Sequence, residues 1–190
     1  MPSVLWIPTV PSFGSVSMQR YFGSLWAERE EGLADGLSAF GIEALVPYTG
    51  LMTKADSRLF RALDRWGIYR WRVATAGRFD QVHALSHGLG FLLPHLRGSP
   101  RTLATVHDLI PMRFRGELTD AQLGRFRRHM ERLKNFDLLT SVSHFTADEM
   151  VELAGIDRGR IRVVENGIDQ EAFRTPASFP PELSHLTEQP

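Results

Sequence analysis

Residues 137–169 read DLLTSVSHFTADEMVELAGIDRGRIRVVENGID, and no other stretch limits the fold as strongly. An apolar run (Leu138, Leu139, Val142) ends in Ser-His-Phe-Thr. A helical pattern follows, then Gly155, then a β-branched run (Ile161, Val163, Val164) that ends in Glu-Asn-Gly. Strand, helix, strand in this order is the βαβ unit of a parallel sheet. Thr146 is placed to cap the helix with Glu149 completing a capping box, and Phe145 and Met150 stand at hydrophobic-staple positions. Gly155 suits the helix end. Open sheets of this kind bind ligands beyond the carboxyl ends of their strands, so chemistry is expected at the strand tips.

The rest of the chain repeats the alternation. Val4 to Ile7 reads as a buried first strand, and Pro8 to Ser17 as a loop rich in Pro, Ser and Gly. A helix is expected from about Met18 to Phe40, with Phe22, Leu25, Trp26, Leu33, Leu37 and Phe40 on its apolar face and Gly41 ending it. Glu43 to Tyr48 is a short strand. Asp56 to Ala76 reads as helical, with a break near Gly67. Gln81 to Leu85 is a strand opening into Ser86-His87-Gly88, and a short helix precedes Pro94. Thr102 to Val106 is a strand buried on both faces. Thr119 caps the next helix, with Gln122 at the box position and Leu123, Phe126, Met130 and Leu133 on the apolar face. The pattern predicts an α/β protein with a Rossmann-like, doubly wound, mostly parallel sheet. Residues 1–173 form one domain in this reading. Residues 174–190, with Pro176, Pro180, Pro181 and Pro190, form a linker or tail.

Composition narrows the function. Twenty-two basic residues balance 22 acidic ones, which gives no reason to expect nucleic acid. The absence of cysteine excludes disulfides and cysteine catalysis. The start lacks a basic n-region, Val4-Leu5-Trp6-Ile7 is too short for a signal core, and no apolar run approaches the ~20 residues of a membrane span. The expected location is the cytoplasm, at its membrane face if the arginine-rich segment below touches lipid. His83 and His87 are four apart, but one falls in a strand pattern and the other beyond it, so no metal site is expected.

Three blocks carry a resemblance: Val106-His107-Asp108-Leu109-Ile110-Pro111, the TSVSHFT turn, and RIRVVENGID followed by Phe173. In their order and separation the chain resembles the amino-terminal, acceptor-side domain of family-four retaining glycosyltransferases of GT-B fold. The resemblance is clearest from Phe79 to Phe173. It implies a nucleotide sugar as donor substrate, no other cofactor, and a glycan or lipid-linked acceptor, with mannose as a first guess. It also implies a carboxyl-terminal Rossmann-like domain, in cis or in trans, that holds most of the donor through two glutamates separated by seven residues. No glutamate pair in this chain has that spacing. The chain is therefore expected to be an excised domain or one subunit of a split enzyme, inactive alone.

The resemblance also implies roles for individual residues. His107 stands in the region where a family histidine lies near the donor sugar; it would hydrogen-bond a sugar hydroxyl or the departing diphosphate, or else orient the loop after it. Asp108 would bind an acceptor hydroxyl, or make a turn through its own backbone. Gly14 and Ser15 occupy the loop that in the family approaches the donor diphosphate or the acceptor. There Gly14 would let the backbone come close, although the usual consecutive glycines and the G-x-G-x-x-G fingerprint are absent. His87 lies at a strand tip facing the acceptor cleft. Ser143 could bind substrate, and Asn166 combines turn geometry with a cleft contact.

Arg58, Arg61, Arg65, Arg70, Arg72 and Arg78 interleave with Phe60, Trp66, Tyr69 and Trp71. Such a segment forms either a peripheral membrane contact or a solvated arginine face over buried aromatics. Two other function classes remain beside the transferase. A non-catalytic Rossmann-like partner or regulatory domain would keep the fold without its chemistry. A small-molecule oxidoreductase is disfavoured by the missing glycine fingerprint.

Overall fold

A computed structural model describes residues 1–9, 16–31, 39–45, 67–96, 101–114, 116 and 118–168. Six strands form one parallel sheet: β1 (Ser3–Ile7), β2 (Gly41–Ala44), β3 (Gln81–Ala84), β4 (Thr102–Val106), β5 (Leu138–Ser141) and β6 (Ile161–Val163). Their order is β2-β1-β3-β4-β5-β6. From β1 the chain winds outward to β2, then returns to β3 on the other side of β1 and continues the opposite way. The point of reversal lies between β1 and β3, where doubly wound sheets open a crevice at their carboxyl ends.

Helices cover both faces. Alternation along β1 divides its side chains: Val4 and Trp6 join Ile42 and Leu85 against Tyr21, Phe22, Leu25 and Trp26 of α1 (Val16–Glu31). Leu5 and Ile7 face the larger core. That core takes Tyr69 and Val73 from α2 (Tyr69–Thr75), Leu89, Phe91 and Leu92 from a 3-10 helix (His87–His95), Met130 and Leu133 from α4 (Asp120–Leu133), and Ala147 and Met150 from α5 (His144–Ala154). A short helix, α3 (Ile110–Arg113), follows β4. Burying a strand on both faces requires an unbroken apolar run, and Val4 to Ile7 supplies one. Among the described residues no helix is long and apolar enough to cross a membrane.

Helix ends show which local signals decide. The Thr119–Gln122 capping box forms at the start of α4 as its sequence predicts. The start of α5 does not. Ser143, not Thr146, is its cap: the Thr146 amide donates to the Ser143 hydroxyl at 3.1 Å, so the helix begins three residues earlier. Both hydroxyls satisfy the capping pattern, and Ser143 prevails because Val142 already follows the end of β5. Glu149 is therefore free of the box. It is buried and pairs with Arg113 at 3.1 Å, while Phe145 points outward and makes no staple. Gly155 ends α5 with φ of 62°, a left-handed conformation that favours glycine. Gly41 is not the end of the first helix but the first residue of β2, where its amide donates to the Pro2 carbonyl at 2.9 Å, and Phe40 is exposed. Pro94 lies inside the 3-10 helix rather than after it.

Candidate functional site

Three strand tips and two helices build one cavity. Thr9 follows β1, Ser86-His87-Gly88 follow β3, and His107-Asp108 follow β4. With Ser17 and Met18 from the first turn of α1, Leu89, and His129 of α4, they enclose a space of about 270 Å³. Its place is the carboxyl end of the β1–β3 switch, where the topology predicts a site. The volume is near the lower end of the roughly 300–1,000 Å³ typical of small-molecule pockets.

His107 is held from two sides. Its Nε2 lies 3.0 Å from the Leu85 carbonyl oxygen. A carbonyl only accepts, so Nε2 carries the proton and Nδ1 is left as an acceptor. Tyr21 of α1 meets the imidazole edge to face, with ring centroids 4.9 Å apart and planes at 83°. Burial lowers the pKa of His107, opposed in part by the Leu85 carbonyl and by Asp108, so the ring is neutral at pH 7. Behind it, the Thr146 hydroxyl donates to the His107 carbonyl at 3.4 Å. Asp108 accepts the Ile110 amide through Oδ1 at 3.2 Å, the local turn from which α3 starts, and also lines the cavity.

His87 opens the 3-10 helix. Ser86 caps that helix by accepting the Gly88 amide at 3.3 Å. The His87 ring packs against Phe126, centroids 5.3 Å apart. Burial drives its pKa down to about 4; Asp108 pulls it up and His107 pushes it further down. Its Nδ1 is buried and has no hydrogen-bond partner among the described residues. The 3-10 helix can approach α4 this closely because of Gly90, where an added Cβ would stand 3.2 Å from the Arg132 Cβ. That approach brings His129 into the same cavity wall.

Gly14 and Ser15 fall outside the described residues. The Ser143 hydroxyl is engaged as the α5 cap, and Asn166 is exposed beyond β6; neither lines the cavity. His83 sits within β3, its Nε2 2.8 Å from the Thr105 hydroxyl, with its pKa lowered to about 4 by burial and by the proximity of His107. Thr105 also meets Thr140 at 2.8 Å. Among the described residues no group of three His, Cys, Asp or Glu side chains is arranged to hold a metal ion. Tyr21 and His129 were not singled out by the sequence patterns. The only signal for His129 is its position inside the apolar stripe of α4, between Phe126 and Met130.

The cavity is thus lined by a carboxylate, three imidazoles and several hydroxyls. A six-stranded parallel sheet with helices on both faces and a cavity at its switch point defines a Rossmann-like α/β domain. The chain matches the family model described as Glycosyltransferase Family 4 over residues 33–172, and it belongs to that family. It is a domain of glycosyltransferase type. Comparison with curated proteins finds no match.

Proposed function

We propose that residues 1–173 are the amino-terminal, acceptor-side half of a retaining GT-B glycosyltransferase. In this reading the enzyme moves a sugar from a nucleotide sugar to a glycan or lipid-linked acceptor in polysaccharide or glycoconjugate synthesis, and mannose is the first donor to try. The observation that carries it is the convergence of His87, His107 and Asp108 on one cavity at the switch point of a family-four chain. With Nε2 given to Leu85, His107 offers Nδ1 to a ligand, and an acceptor suits a sugar hydroxyl better than a diphosphate. The Asp108 carboxylate, which lines the cavity, favours the same kind of ligand, a neutral one rich in hydroxyl donors. The small volume fits a sugar ring rather than a whole nucleotide sugar. The diphosphate charge then falls to groups outside this cavity, with the backbone around Gly14 and Ser15 as one source and a second Rossmann-like domain as the other.

Exposed apolar side chains support that second domain. Ile110, Phe114 and Phe145 all lie beyond carboxyl strand ends and are more than half exposed. A surface of this kind is commonly covered by a partner. The chain alone is then inactive, and residues 174–190 are a Pro-rich linker or tail. A peripheral membrane contact remains part of the proposal. On α2, Tyr69 is buried with its hydroxyl bonded to the Pro8 carbonyl, whereas Trp71 projects outward between Arg70 and Arg72. Of that segment, residues 58–66 lie outside the described residues.

The test is a titration of the isotope-labelled chain with methyl mannoside, GDP-mannose and UDP-glucose, read at the histidine side chains. Saturable shifts of His87 and His107 with at least one of the sugars, and none at His144 on the surface, are expected. Shifts produced equally by GDP or UDP alone would place the nucleotide, not the sugar, in the cavity.

A further inference from the structure

His107 owes its usefulness to its orientation, and β3 supplies only part of that. One hydrogen bond to a carbonyl leaves the imidazole able to swing about the Nε2–O axis. The rest of the restraint comes from α1. Ser17 and Tyr21 are four residues apart on that helix and share one face. Ser17 borders the cavity, and Tyr21 meets the imidazole at 4.9 Å. An edge-to-face contact fixes the angle between the rings as well as the distance.

We infer that Tyr21 is a positioning residue for His107, holding the imidazole as the Nε2–H tautomer bonded to Leu85 so that Nδ1 stays available to a ligand hydroxyl. It touches neither donor nor acceptor; it acts through the histidine. The use made of Nδ1 rests on the transferase reading, but the brace itself does not. Tyr21 also shares in the desolvation of the imidazole, whose pKa is held below its usual value.

The experiment is multiple-bond ¹H–¹⁵N spectroscopy of the labelled full chain, with His107 identified by its loss in His107→Gln. The wild-type ring is expected to show a protonated Nε2 and an unprotonated Nδ1 across neutral pH. In Tyr21→Leu, the two nitrogens should move toward averaged shifts, and the titration midpoint should rise toward about 6.5, the unperturbed value. An unchanged tautomer and midpoint in a folded Tyr21→Leu chain would overturn the inference. If that variant does not fold, Tyr21→Met decides, because it fills the site without presenting a ring to the imidazole. Averaged His107 nitrogens there support the brace, and a wild-type spectrum refutes it. Failure of wild-type His107 to respond to any of the sugars above would sink the transferase reading while leaving the tautomer result standing.

Discussion

Two histidines in this fold are buried in their neutral form, and that has a consequence for acid stability. His83 and His87 have pKa values near 4, against 6.5 for an ordinary histidine. Between these values the unfolded chain binds protons that the folded chain refuses. Stability is thus fully present above about pH 6.5 and falls as pH drops toward 4, by roughly 3 kcal/mol for each histidine at the full extent. Urea unfolding at pH 7.5, 5.5 and 4.5 should show this loss, and His83→Gln should make the slope shallower. An equal slope in that variant would mean that His83 is protonated in the folded chain without cost. At this scale the sequence was partly legible. The strand tip marked His107, Asp108 and His87. Tyr21 was hidden because an aromatic residue beside Phe22 on an apolar helix face looks like packing, and only the sheet order brings α1 over β4.

Among the elements, α5 is the one whose sequence signals competed. Ser143 and Thr146 are both good caps, and each has a partner at the right distance along the chain. The choice is made by tertiary contacts: Thr146 is turned toward the His107 carbonyl, and Glu149 toward Arg113 on α3. These two contacts dock α5 against the segment that follows β4. Ser143→Ala should therefore lower stability by about 1 kcal/mol, the usual cost of a lost cap, as measured by chemical unfolding. Thr146→Ala tests the alternative. A larger loss at Thr146 than at Ser143 with no change in helix content would show that the docking contact outweighs the cap. Boundaries elsewhere were readable where the signal was steric. Gly155 had to end α5 because few other residues accept its backbone angle. Gly41 misled because a glycine after an apolar run also starts strands.

At the scale of the whole molecule, the alternation of strands and helices was enough to predict a doubly wound parallel sheet. The order β2-β1-β3-β4-β5-β6 then sets the switch point between β1 and β3. In the proposed reading a second Rossmann-like domain supplies the other wall of the cleft. Ile110, Phe114 and Phe145 stand exposed beyond the carboxyl ends of their strands, where the proposed second domain would dock. The central claim is that His107 acts on a sugar held between two such domains. The direct measurement is turnover of a nucleotide sugar by a polypeptide joining this chain to a donor-binding Rossmann-like domain, compared between wild type and His107→Ala, with donor affinity measured in parallel. If the imidazole contact strengthens at the transition state, kcat should fall by about 10²-fold or more while the donor Kd changes by only a few-fold. Unchanged kcat in a folded His107→Ala enzyme would contradict the account and return His107 to a purely structural place at the end of β4.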